Sequence, residues 1–328
     1  MKRTALIAVL VMVVAACSPS DAGATTTTDN PATTTPAQIT TTAAPATSTT
    51  TEEGFPVSVE ADNGSVTIEA RPQAIISLSS TATEMLFEIG AGPQVVAVDD
   101  QSNYPAEAPM TDLSGFTPNL EAILSYEPDL VVITFDPGEL IAGLETADIP
   151  VLSYTAALTI DDVYRQIEAL GTATGNVESA IEVNESIQTD LEDIVVVSGD
   201  SGEGVTYYHE IDALLYTATS STFFGQIYGL FGMANIADAA DEDGYAFGYP
   251  QLSEEYVVAS DPNIIFLANV LYGESSETVA ARPGWSVMTA VKDGDVAELD
   301  SDVASRWGPR IVEFAQSIAD ALGRYKEG

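Results

Sequence analysis

Residues 159–198 read TIDDVYRQIEALGTATGNVESAIEVNESIQTDLEDIVVVS. Thr159 with Asp162 three places on has the pattern of a capping box, in which side chains answer the first free N–H groups of a helix. Ile160, Val163, Tyr164, Ile167 and Leu170 follow at helical spacing. After Gly171 and Gly175 the spacing resumes at Val177, Ile181, Ile187, Leu191 and Ile194. An unbroken helix here is about 50 Å long at 1.5 Å per residue. That is too long for one small lobe and suits a rigid spine between two. A break at Gly175-Asn176 would give two shorter helices instead.

The segments on either side fit the two-lobe reading. Phe55 to Ala70 alternates around Asp62-Asn63-Gly64, the signature of a small hairpin. Strand and helix then alternate: strand 74–78, helix 81–89, strand 95–98, helix 119–125, strand 130–133, helix 139–145 and strand 150–152. Beyond Gly202 a second series follows: strand 205–209, helix 222–231, helix 253–259, strand 263–267, strand 296–299 and a closing helix 307–325. Such alternation predicts parallel sheets covered on both faces. The expected class is α/β, with two lobes (55–158 and 199–328) of mainly parallel sheet joined by one long spine helix (159–198). A single stiff crossing permits small rocking of the lobes rather than wide hinge closure.

The start of the chain reads as an export signal. Lys2 and Arg3 precede an apolar run from Ala5 to Ala16, too short for the roughly 20 residues of a spanning helix but suited to a signal peptide. The run ends Val14-Ala15-Ala16-Cys17, which resembles a bacterial lipobox, and Cys17 is the single cysteine of the chain. The expectation is lipidation at Cys17, a membrane attachment through the anchor alone, an extracytoplasmic location and no disulfide. Residues 18–54 are rich in Thr, Ala and Pro and cannot bury enough surface to offset ordering entropy. They read as a tether of roughly 30–36 Å root-mean-square reach. The chain carries 10 basic and 50 acidic residues, a formal net charge of −40, which argues against nucleic acid and anionic membrane surfaces as partners.

Signs of chemistry are scarce. One histidine, His209, sits inside a strand pattern without a nucleophile motif such as G-x-S-x-G; it reads as structural. One His and one Cys cannot build a zinc cluster, the acidic run 293–302 lacks the calcium-loop pattern, and no phosphate loop or dinucleotide fingerprint is present. The reading is therefore no catalytic residues, no resident metal and no cofactor.

Several segments together carry a resemblance: Arg71-Pro72, Ile75-Ile76-Ser77-Leu78-Ser79, Thr83-Glu84, Ser102-Asn103-Tyr104-Pro105, Asn119-Leu120-Glu121-Ala122-Ile123, Glu127-Pro128-Asp129-Leu130-Val131, Tyr249-Pro250-Gln251-Leu252-Ser253, and Arg306 with Pro309-Arg310-Ile311. In this order they resemble the solute-binding proteins of ABC importers for cobalamin and ferric siderophores, from about Arg71 to Leu322. The resemblance implies capture of a metal chelate (ferric siderophore, cobalamin or haem) between two lobes and delivery to an ABC transporter permease. It implies permease docking through one glutamate per lobe, Glu121 and Glu255. Ligands of open α/β sheets sit beyond strand carboxyl ends, which selects Ser80, Gln101, Tyr104, Phe116, Phe135, Asp302 and Arg306 as cleft residues, and the aromatic cluster Tyr245, Phe247 and Tyr249 adds Tyr249. Two departures point away from cobalamin. Gln101 stands where cobalamin-binding members carry an aromatic, and Val303-Ala304-Ser305 replaces bulky aromatics between Asp302 and Arg306. A secreted hydrolase on a similar scaffold would need an acid–base pair in the cleft. A protein-binding surface lipoprotein would show a filled groove and an exposed apolar patch.

Overall fold

The computed structural model describes residues 54–327. The export signal, Cys17 and the threonine-rich linker up to residue 53 lie outside the described residues. The folded part opens with an antiparallel hairpin of β1 (Val57–Ala61) and β2 (Gly64–Ile68). Next come β3 (Ile75–Leu78), α1 (Ser80–Glu88), β4 (Val95–Asp99), β5 (Met110–Leu113), α2 (Leu120–Leu124), β6 (Leu130–Ile133), α3 (Leu140–Thr146) and β7 (Val151–Ser153). Two helices follow, α4 (Ile160–Thr174) and α5 (Val177–Ser198). The second half holds β8 (Thr206–Glu210), α6 (Phe223–Gly229), β9 (Ala234–Asn235), α7 (Glu254–Ser260), β10 (Ile264–Leu267), α8 (Ser276–Ala281), α9 (Thr289–Asp293), β11 (Val296–Glu298) and α10 (Ile311–Glu327).

Each half is built on a parallel sheet, in the order β5-β4-β3-β6-β7 in the first lobe and β11-β10-β8-β9 in the second. The inner strands β3, β6 and β10 are buried at every residue, because helices cover both faces and such a position calls for a nearly continuous apolar run, broken here only at the hydrogen-bonded Ser77 of β3. The hairpin docks on the outer edge of the first sheet. Asn63 Oδ1 accepts from the Ser153 N–H at 3.1 Å, and the Asp62 carboxylate accepts from Thr155 N–H and hydroxyl at 2.7 and 2.6 Å. That contact shields an edge strand that would otherwise offer free backbone groups.

The stretch 159–198 is not one helix. The capping box at Thr159 and Asp162 starts α4 as read, but α4 ends in a Schellman-type turn. Gly175 takes φ +72°, and the Asn176 N–H donates to the Gly171 carbonyl at 2.8 Å. Arg71 and Gln94 side chains donate to the Thr174 carbonyl at 3.0 and 3.2 Å, completing the cap. The chain then turns back and α5 packs along α4. Asn184 donates to the Tyr164 carbonyl at 3.0 Å, and Gly171 lies so close to Ala180 that a β-carbon there would come within 2.4 Å. The spine is therefore α5 alone, 22 residues or about 33 Å.

The lobes are not independent bodies on a hinge. One apolar core runs from Phe55, Ile75, Leu86 and Leu152 through Ile167, Ile187 and Leu191 to Tyr207, Phe266, Phe314 and Leu322. It joins the α1 and α4 face of the first sheet to the α6 and α10 face of the second, with α5 between. Each sheet's far face has its own smaller core, around Ile123 and Leu144 in one lobe and Trp285 and Val257 in the other. Among the described residues no helix is long and apolar enough to cross a membrane.

Candidate functional site

In a parallel sheet every strand points the same way, so the loops after the strands gather at one end. In the first lobe that end is ordered by hydroxyls. Thr134 donates to Ser79 Oγ at 2.7 Å, Thr83 Oγ1 donates to Ser77 Oγ at 2.9 Å, and Thr83 and Ser102 hydroxyls lie 3.0 Å apart. Ser102 donates to Asp99 at 2.6 Å. Burial pushes the Asp99 carboxyl above its ordinary value, while the Ser102 and Gln101 hydrogen bonds pull the other way. Asp99 thus fixes the loop that carries Gln101, Asn103 and Tyr104. Gly115 crosses above, where a β-carbon would lie 2.7 Å from the Leu78 carbonyl and 2.8 Å from Asp99. This close passage places Phe116 beside Phe135, ring centres 5.8 Å apart, both rings exposed.

The two lobes meet beside this rim at Arg306. Its guanidinium is 7% exposed. Nη1 donates to Glu84 Oε1 at 2.7 Å, and Nη2 to Asp302 at 2.8 Å, Asn103 Oδ1 at 2.8 Å and the Gln101 carbonyl at 3.1 Å. Asn103 closes the ring by donating to Asp302 at 2.8 Å. Arg310 lies 3.6 Å from Glu84 and 4.3 Å above the Tyr104 ring. Glu84 is pushed above the usual carboxylate range by burial, with Arg306 opposing. The donors of Arg306 are committed to first-lobe groups and to Asp302. Arg306 ties the lobes and holds Asp302 in place.

Asp302 itself lines a cavity of about 370 Å³ at the carboxyl end of the second sheet, with His209, Phe224, Tyr249, Leu271 and Tyr272. This volume lies within the range of about 300–1,000 Å³ for small-molecule sites. Beneath its wall the fully buried Glu210 receives both Arg282 nitrogens at 2.6 Å and Asn269 at 3.0 Å. Arg282 also reaches Glu274 at 2.7 Å and stacks 4.5 Å above Trp285. This buried cluster anchors the loop that carries Leu271 and Tyr272. A roomier groove of about 570 Å³ runs between β1 and α4, but it lies away from the strand carboxyl ends.

Of the expected cleft residues, Gln101, Tyr104, Phe116 and Phe135 stand at the first-lobe rim and Tyr249 and Asp302 at the second. Ser80 opens α1, part-exposed. Phe224, Leu271 and Tyr272 were not legible as site residues. His209, read as structural, is both buried and part of the cavity wall. Glu121 and Glu255 are exposed, and each is the second residue of its helix behind a side-chain cap, Asn119 for α2 and Ser253 for α7. The helices are equivalent: α2 leads into β6, which pairs with β3, and α7 leads into β10, which pairs with β8.

Comparison with known proteins agrees with the two-lobe α/β fold. A family model described as periplasmic binding protein matches residues 75–303. An uncharacterized ABC transporter substrate-binding lipoprotein of Bacillus subtilis, YvrC, is 31% identical over 280 residues, 82% of this chain and 86% of its own. A cobalamin-binding protein of Halobacterium salinarum is 31% identical over 279 residues, 82% of this chain and 74% of its own. The crystal structure of a periplasmic vitamin B12 binding protein of Vibrio cholerae matches with a TM-score of 0.62 at 25% identity, over 78% of this chain and 98% of that one.

Proposed function

The chain belongs to the periplasmic binding protein family, whose members capture a solute outside the membrane for an ABC importer, and we propose that its cargo is a bulky metal chelate, cobalamin before haem or ferric siderophores. The observation that carries this is the meeting of two strand-end rims at Asn103 and Asp302, with Tyr104, Phe116 and Phe135 on one side and a 370 Å³ cavity on the other. Apolar rims with few polar contacts suit a large planar chelate. The relatives named for cobalamin support the order of preference. So does charge: at −40 the protein repels anionic chelates at long range. Gln101 and the small residues 303–305 then mark a different set of contacts to the same class of cargo.

The remaining parts of the reading follow from this role. Cys17 carries the lipid anchor, and residues 18–54 act as the tether. Glu121 and Glu255 dock to basic pockets on the permease. The protein binds rather than transforms its cargo: Glu84 and Asp99, the acids that burial shifts upward in the rim, are held by Arg306 and by the Gln101–Ser102 loop. The test is titration of the purified protein with cyanocobalamin, haemin and a ferric hydroxamate siderophore, followed by Trp285 and Trp307 fluorescence and repeated by equilibrium dialysis. Micromolar or tighter saturation by cyanocobalamin with no product formed is the expected result. Saturation by another class would reassign the cargo, and binding of none would overturn the chelate reading.

A further inference from the structure

His209 is the single histidine of the chain. It is 1% exposed, near the carboxyl end of β8, and forms part of the cavity wall. Its ring lies parallel to Phe224 with centres 6.1 Å apart and meets Phe314 and Tyr228 edge-on. Nδ1 is 2.9 Å from the Tyr228 hydroxyl, while Nε2 has no hydrogen-bond partner among the described residues. The tautomer follows from donor and acceptor strength. Only one hydrogen bond joins the pair, the phenol hydroxyl is the more acidic donor and an imidazole nitrogen accepts better than a phenol oxygen, so Tyr228 donates to Nδ1. The ring proton then sits on Nε2 as a buried donor without an acceptor. Buried donors in native proteins are almost always paired, and the cavity is where the missing acceptor can arrive.

We propose that His209 is a cargo contact that sets specificity, donating Nε2–H to a neutral carbonyl oxygen of a group projecting from the chelate, such as a carboxamide. The inference rests on the cargo reading above. A carboxylate is the wrong acceptor for this cavity. Asp302 already lines it, and the nearby cations are committed: Arg306 to Glu84 and Asp302, Arg282 to Glu210 and Glu274, and Arg310 to Glu313. Burial also keeps the imidazole uncharged, with its value lowered to about 4. A neutral amide oxygen meets neither repulsion nor a demand for a counter-ion. Nε2 is closed to solvent, so the contact forms as the half-buried Phe224 ring shifts to admit the amide.

The experiment titrates wild type, His209→Phe and His209→Gln with cyanocobalamin, a chelate fringed with carboxamides. Thermal melts confirm that both variants fold. Phe keeps the ring stack and removes the donor; Gln restores an N–H near the Nε2 position. His209→Phe should bind about 10- to 100-fold more weakly, and His209→Gln should recover most of that loss. The sole imidazole also gives an unambiguous long-range proton–nitrogen spectrum. It should show the Nε2–H tautomer, with a resonance that moves on saturation. Binding by His209→Phe within twofold of wild type, or an unmoved imidazole, would overturn the assignment while leaving the cargo reading in place. Failure of wild type to bind cyanocobalamin would overturn the cobalamin assignment, and this inference with it.

Discussion

Replacing Arg306 by Met tests the tie between the lobes. The substitution strands Glu84, which is 3% exposed and keeps only Arg310 at 3.6 Å as a cation. Removing one partner of a buried ion pair costs roughly 3–5 kcal/mol. The structure gives that figure a ceiling. An isolated buried carboxylate can take a proton, and at pH 7 this costs about 4 kcal/mol for a group that titrates near 4.3 when unfolded. With Arg310 offsetting part of it, the expected loss is about 3 kcal/mol, read as the shift of a urea unfolding curve. The sign with pH is fixed. Without Arg306 the folded-state value of Glu84 rises further, so the deficit is largest at neutral pH and shrinks as pH falls. At pH 5 protonation costs about 1 kcal/mol, and the deficit should fall to near that. Replacing both residues by Met removes the stranded charge and should bring stability back to within about 1 kcal/mol of wild type. A loss below 1 kcal/mol for Arg306→Met, or a double variant as unstable as the single one, would refute the assignment of this pair as a buried tie.

Changing Glu121 and Glu255 to Ala should abolish uptake of cargo in cells while leaving equilibrium binding unchanged, each lost contact weakening docking by about 2–5 kcal/mol; unimpaired uptake would count against docking. The buried His209 is held down to about 4 from 6.5. The stability it contributes is therefore present above pH 6.5 and lost as pH falls to 4, by about 2 kcal/mol at pH 5. Urea curves of His209→Phe should lack that part of the acid slope, and parallel slopes would remove the argument. Phe116→Ala and Phe135→Ala should each weaken cargo binding about tenfold as exposed anchors, with melting temperatures unmoved; unchanged affinity would place the cargo elsewhere. Arg282→Met should cost roughly 3–5 kcal/mol by stranding Glu210, and a change under 1 kcal/mol in a urea curve would contradict its burial.

The strands were legible because a strand covered on both faces is mostly apolar. Leu130-Val131-Val132-Ile133 and Ile264-Ile265-Phe266-Leu267 can hardly be read otherwise. Strand β5 escaped because Met110-Thr111-Asp112-Leu113 is an edge strand with one buried residue, joined to β4 across a shift in register. The break in the spine was written in Gly175-Asn176, yet apolar periodicity runs on through it because both helices face the same core. The rim aromatics were legible from the rule about strand ends. The role of Arg306 was not, since its partner Glu84 lies 222 positions away and nothing local distinguishes a buried guanidinium from one that meets a ligand. The cavity wall was hidden for a similar reason. Phe224 and Leu271 look like core residues until their neighbours withdraw and leave a space.

The ties between the lobes bear on how cargo is released. A continuous core, the Arg306 cluster and a bond from Gln226 to the Leu158 carbonyl at 2.6 Å all oppose a wide opening. Capture then relies on rims ordered in advance, which lowers the cost of fixing loops on binding. Release needs a force applied to both lobes together. In a parallel sheet the helix between two strands runs antiparallel to them, so its first turn lies at the strand carboxyl end. Glu121 and Glu255, in the first turns of α2 and α7, therefore flank the mouth of the cleft, only a few residues beyond Phe116 and Tyr249. In the proposed docking, a permease that grips both glutamates covers that mouth and acts on the elements that carry the proposed cargo contacts. The strain it must supply works against the Arg306 cluster, the continuous core and the Gln226 bond together.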